Sequence, residues 1–139
     1  MRILLDTNVL IAAFIVHGIC AELFEHCARH HTLITSHYIL DEFKRKLISQ
    51  FNYSESEAAR AVKITQLKST VCVPADVPAA ACQDPDDLPI LGSAIAGECR
   101  CLITGDKALL KITRYRNIDI IPPGDFWKYE ANHRGKLSP

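Results

Sequence analysis

Apolar positions along this chain fall into two alternating patterns. Short runs dense in apolar residues predict buried strands at Arg2 to Leu5, Thr32 to Thr35, Val71 to Val73, Cys101 to Thr104 and Ile118 to Ile121. Between them the spacing is helical. Thr7 to Val16 and Ile19 to Arg29 predict one or two helices, broken near Gly18. Ser36 suits the N-cap of a helix with Ile39, Leu40, Phe43, Leu47 and Ile48 on one side. Ser54 with Glu57 three residues on has the spacing of a capping box. Asp84-Pro85 marks another helix start, because proline is tolerated in a first turn. That helix would hold Leu91, Ala94 and Ile95 and end near Gly97.

Strands separated by helices imply parallel pairing with right-handed crossovers. The expected fold class is α/β: a three-layer α/β/α sandwich around a mostly parallel sheet of four or five strands. Residues 1–131 would form this domain, and residues 132–139 a flexible C-terminal tail. The stretch PADVPAAACQ, residues 74–83, is the one loop of consequence. There is no internal repeat and no low-complexity tract.

Composition narrows the classes. The chain has 139 residues, 48% apolar and 23% charged, enough for one domain with a real core and too apolar for intrinsic disorder. The longest strongly apolar run, Val9 to Val16, falls far short of the ~20 residues that span a bilayer. No cleavage site follows an apolar stretch at the N-terminus, so no signal peptide and a cytoplasmic location are expected. Sixteen basic and sixteen acidic side chains cancel, and net charge says nothing about partners. The six cysteines need not form disulfides in a chain of this size, and their spacings are not those of zinc ribbons or fingers.

The acids are placed with more regularity. Asp6 ends the first strand, Asp106 follows the late strand, and Asp87 sits in the first turn of the helix opened by Asp84-Pro85. Ligands of open α/β sheets collect beyond the carboxyl ends of strands where strand order reverses. If the first strand lies beside the 101–104 strand, Asp6 and Asp106 face each other across that crevice. Carboxylates ~4 Å apart repel by several kcal/mol at an effective dielectric of about 20. Such a group must take up protons or a cation, and oxygen ligation with room for water favours Mg²⁺ or Mn²⁺ over Zn²⁺.

Four blocks carry a family resemblance: DTNVLIAA at the N-terminus, the acids Asp41-Glu42 in the helix after the second strand, DPDDLPILGSAIA, and LITGDKALL. Together they resemble the PIN domain, most nearly its branch of toxin components from toxin–antitoxin pairs. DTN alone is a weak signal; four blocks in order and at the right spacing are a specific one, and the likeness runs from about Met1 to Tyr129. It implies a ribonuclease that cuts single-stranded RNA with Mg²⁺ or Mn²⁺, leaving a 5′-phosphate and a 3′-hydroxyl. Carried over by position, the four acids are Asp6, Glu42, Asp87 and Asp106. Asn8 and Thr104 match polar positions that hold the acids or the metal's waters. Asp84 is a further candidate for that role, as well as a helix cap. A small antitoxin and a homodimer are implied partners; a membrane is not.

Asp41 competes with Glu42, since both lie off the apolar stripe of their helix; the family pattern favours Glu42. Pro89 stands where family members carry a helix-compatible residue, and bears on the position of Asp87. Lys107, Lys111 and Arg114 follow the fourth acid and are candidates to track an RNA backbone. Lys44, Arg45 and Lys46 are consecutive and splay around their helix. Tyr38 and Trp127 could stack on bases, with core packing the commoner use of such rings. His30, His31 and His37 flank the second strand and read as surface histidines. Two rival readings stand beside the nuclease. One is a catalytically impaired PIN-like module that binds nucleic acid or acts as a scaffold, an idea fed by Pro89. The other is a phosphotransfer domain with a nucleophilic aspartate, against which DTN stands where DxD is expected.

Overall fold

The computed structural model describes residues 1–137, with side chains described as far as His133. The chain runs β1 (Arg2–Leu5), α1 (Thr7–Ile15), α2 (Ile19–His30), β2 (Thr32–Ser36), α3 (His37–Phe51), α4 (Glu55–Leu67), β3 (Ser69–Cys72), α5 (Leu88–Ala96), β4 (Cys101–Ile103), α6 (Lys107–Ile112), β5 (Arg114–Tyr115), β6 (Ile118–Ile121) and α7 (Phe126–Leu137). The helix starts follow the side chains that cap them. Ser36 accepts from the Ile39 amide, and Ser54 and Glu57 exchange both bonds of a capping box. The break between α1 and α2 falls at residues 16–18, where His17 turns left-handed, and the two helices bend by 109°. Among the described residues no single helix is long and apolar enough to cross a membrane.

The sheet has the order β3-β2-β1-β4-β6-β5. All pairs are parallel except β5 with β6. This is the expected α/β/α sandwich, with one more strand than the four or five expected. The addition, β5, is a two-residue antiparallel partner of β6, too short to leave a periodic signal. Ile3, Leu4 and Leu5 of β1 and Cys101, Leu102 and Ile103 of β4 are all buried, as strands covered on both faces must be. The chain steps outward from β1 through β2 to β3, then returns past β1 to β4. Strand order therefore reverses between β1 and β4, which pair in register Ile3↔Cys101 to Leu5↔Ile103.

The approach to α5 is fixed by local backbone chemistry. A 3₁₀ turn, Pro85–Asp87, precedes the helix, and Pro89 falls within its first turn, where no backbone N–H is required. Ser93 Oγ lies 2.7 Å from both the Pro89 carbonyl and Ser36 Oγ, linking the middle of α5 to the start of α3. The 74–83 loop is pinned to α5 by the Ala75 amide, which donates to the Gly92 carbonyl at 2.9 Å. Asn132 to Leu137 continue α7, so most of the expected tail is helical; residues 138–139 lie outside the described residues. All six cysteines are free thiols.

A Cβ at Gly92 would stand 2.3 Å from the Ala75 carbonyl oxygen. Backbone cannot yield as a side chain would, so Gly92→Ala should lower stability by about 1–3 kcal/mol, read as a fall in melting temperature. An unchanged melting temperature would show that this loop is not held against α5.

Candidate active site

Asp6 lies at the carboxyl end of β1, 6% exposed. It caps α1, taking the Thr7 amide on Oδ1 at 2.7 Å. Its other oxygen, Oδ2, accepts from Thr104 Oγ1 at 2.7 Å. The same hydroxyl oxygen accepts from the Asp106 amide at 3.0 Å. Thr104 thus ties the first acid to the fourth across the β1–β4 seam, reinforced by the Asp6 amide donating to the Ile103 carbonyl. Asp106 caps α6, with Oδ1 accepting from the Ala108 amide at 2.8 Å.

Asp87 ends the 3₁₀ turn and is 9% exposed, and its buried Oδ2 has no hydrogen-bond partner. Burial, then the charges of Asp106, Asp6 and Asp84, push its carboxyl up to about 7. A hydrogen-bonding interaction with the Asp106 carboxyl adds to this rise. The Asp6 carboxyl is also raised, by burial above all; the Thr104 and Thr7 bonds oppose this, and the charges of Glu42 and Asp106 add to it. Glu42, on α3, therefore faces the same group. Its side chain is 17% exposed and its nearest cation is Arg45 at 3.9 Å. Asp41 is exposed. Of the two adjacent acids, it is Glu42 that α3 turns toward Asp6.

The structure brings Asp6, Glu42, Asp87 and Asp106 to one end of the sheet, at the reversal of strand order. They are set more openly than direct ligands crowded on one ion: among the described residues, no three carboxylates bring an oxygen each within 4.8 Å of one another. The donor set fits an oxygen-preferring divalent cation that keeps several waters, and the orphaned Asp87 oxygen is a position such a cation satisfies.

The remaining candidates divide between the rim of this group and the far end of the sheet. Asn8 is exposed at the rim and its Oδ1 accepts from Lys46 Nζ at 3.4 Å. Asp84 is exposed and caps the 3₁₀ turn through the Asp86 amide, acting on Asp87 through its charge. Lys107 opens α6 beside Asp106, and Lys111 lies one turn on, in a groove with Ala80, Ala81 and Cys82. Arg114 does not join them. Helix α6 spans six residues and returns the chain to the opposite end of the sheet, where Arg114 stands 3.7 Å from Asp119 and lines a cavity of about 550 Å³ with Met1, Arg2 and Glu98. Tyr38 bridges α3 to the turn of the third acid, its hydroxyl donating to the Asp86 carbonyl at 3.0 Å, a role that its sequence position does not reveal.

A family model for the PIN domain matches residues 2–108. The chain belongs to the PIN domain family, whose members are nucleases and generally use a divalent metal. No curated protein matches it. Among solved structures, the chain is similar to one of VapBC2 from Rickettsia felis, a crystal structure with a DNA fragment from their promoter bound. The TM-score is 0.62 and the identity 19%, covering 86% of this chain and 97% of that one. At that identity the likeness establishes the fold.

A carboxyl raised in the folded state holds its proton more tightly there than in the unfolded chain. Asp87 therefore costs no stability near pH 4, and its burden on the metal-free fold grows as pH rises from about 4 to about 7. Asp87→Asn removes that titration. By urea unfolding without metal, the variant should match wild type near pH 4 and exceed it by about 1–2 kcal/mol at pH 8, after allowance for residual solvent screening. Parallel curves from pH 4 to 8 would show that Asp87 is not electrostatically burdened.

Proposed function

We propose that this chain is an endoribonuclease that hydrolyses single-stranded RNA with Mg²⁺ or Mn²⁺, and the toxin of a toxin–antitoxin pair. The observation that carries the nuclease chemistry is the Asp87 carboxyl, buried without a partner for Oδ2 beside Asp106 and Asp6. A cation would satisfy that oxygen and offset the neighbouring charges.

Asp87 and Asp106 would hold the cation, with Asp6 and Glu42 completing its surroundings directly or through water. Bound there, it would supply an activated water for in-line attack and neutralise charge building on a phosphoryl oxygen. Asp6 is fixed for this by Thr104 and Thr7 and cannot swing away without breaking both bonds. Lys46 donates to Asn8, two residues after Asp6, and Lys107 and Lys111 follow Asp106 on α6; these cations would meet the phosphates flanking the scissile bond. The products would be a 5′-phosphate and a 3′-hydroxyl.

The toxin assignment is supported by the four sequence blocks and by the likeness to VapBC2. With it we propose a cytoplasmic location and a small antitoxin as partner, with a homodimer as a candidate assembly. A PIN-fold module with an inert site is the reading against which the nuclease is tested, since the acids are openly spaced.

Labelled single-stranded RNA incubated with Mn²⁺ should be cut by wild type. Asp6→Asn should reduce cleavage to background, because the charge that helps to hold the cation is gone. Calorimetric titration should show Mn²⁺ binding by wild type and its loss in Asp87→Asn. Equal cleavage by Asp6→Asn and wild type at matched Mn²⁺ would remove Asp6 from the chemistry, and no Mn²⁺ binding would favour the inert module.

A further inference from the structure

At the end of the sheet opposite the acids lies a second cluster of chemistry-bearing side chains. His26 on α2, His31 just before β2 and Glu130 on α7 each offer one ligand atom, all within 4.8 Å of one another. Both imidazoles turn Nε2 toward the same atom, Glu130 Oε2, each at 2.6 Å. The side chains are 22%, 10% and 11% exposed, so the group is enclosed but open on the His26 side. Aromatic rings wall it: Trp127 stands edge-on to His26 with centroids 4.7 Å apart, and Phe126 packs on both imidazoles. The Met1 amine lies 3.0 Å from His31 Nδ1 and holds that ring from its other nitrogen, leaving Nε2 directed into the cluster.

We propose that His26, His31 and Glu130 form a binding site for a borderline-soft divalent ion of the zinc type, which clasps α7 to α2 and to the start of β2. Two imidazoles and one carboxylate are the donor set of zinc, cobalt or nickel, not of magnesium, which prefers oxygen throughout. The three residues leave a fourth position for water or another ligand. Bonds of ~2.1 Å in a tetrahedron set ligand atoms about 3.4 Å apart, so each imidazole need draw back from Glu130 Oε2 by less than ~1 Å to admit the ion. Without metal, each Nε2 donates its hydrogen to Glu130. On metal entry His26 carries its proton on Nδ1 instead, and at His31, whose Nδ1 faces the Met1 amine, one proton leaves to solvent. A shell of apolar rings around polar ligands keeps competing water out and the imidazoles in place. The site is independent of the acids in position and in ion preference.

The test uses the full-length D6N/D106N variant, so that the acid site does not compete for metal. Titration with Zn²⁺ should show one ion per chain, and excess Zn²⁺ should raise the melting temperature by several degrees while Mg²⁺ leaves it unmoved. Co²⁺ should give visible absorption bands of a low-coordinate ion. Adding His26→Gln or Glu130→Gln should weaken Zn²⁺ binding at least about tenfold and cancel the thermal shift. Glu130→Gln retains an oxygen that accepts both imidazole hydrogens, so it decides the matter even if His26→Gln unfolds. No Zn²⁺ uptake by D6N/D106N, or uptake unchanged by Glu130→Gln, would overturn the proposal.

Discussion

Carboxyl groups taken out of water beside one another must be held by something, because each raises the cost of charging the next. In this molecule the holding begins with the pairing of β1 and β4. That seam sets Asp6 and Asp106 one strand apart, and a single hydroxyl, Thr104 Oγ1, bonds the side chain of one and the backbone of the other. Asp87 arrives from the far side of the strand-order reversal on a 3₁₀ turn, and has no such support for Oδ2. The fold fixes two acids with hydrogen bonds and leaves one oxygen of the third, Asp87 Oδ2, without one. Pre-organised and unsatisfied at once, the group is suited to a cation and poorly suited to being empty.

The surrounding structure serves this arrangement. Ser93, in the middle of α5, bonds Ser36 at the start of α3, so that Asp87 and Glu42 approach from helices of fixed relation. Tyr38 holds the turn that presents Asp87, and Gly92 admits the loop that leads into it. Pro89 falls where a helix needs no backbone donor, and the helix runs on unbroken.

Much of this is legible in the sequence, for reasons that are local. Strands β1, β2, β4 and β6 are largely buried and read as short apolar runs. Ser36 and Ser54 announce their helices because a capping hydroxyl is a local device. Positions of Asp6 and Asp106 follow from strand ends alone; their adjacency requires the register of β1 with β4, which no local pattern contains. Family likeness favours Glu42 over Asp41, and only the packing of α3 gives that preference a physical reason. Sequence proximity to Asp106 misplaces Arg114, because it ignores the return of the chain through α6 to the other end of the sheet. Strand β5 has two residues and no periodicity. His31 reads as a surface residue because its partner, Glu130, is 99 positions away. A histidine five residues earlier, at His26, is the one local hint.

Whether Asp6, Asp87 and Asp106 make one pocket that takes a divalent ion is tested most directly by crystals grown with Mn²⁺ and measured for anomalous scattering. A strong peak bounded by the Asp87 and Asp106 carboxylates, with Asp6 within reach of the ion's waters, is the expected result. An ordered structure with these three carboxylates turned apart, and no peak among them at saturating Mn²⁺, would contradict it.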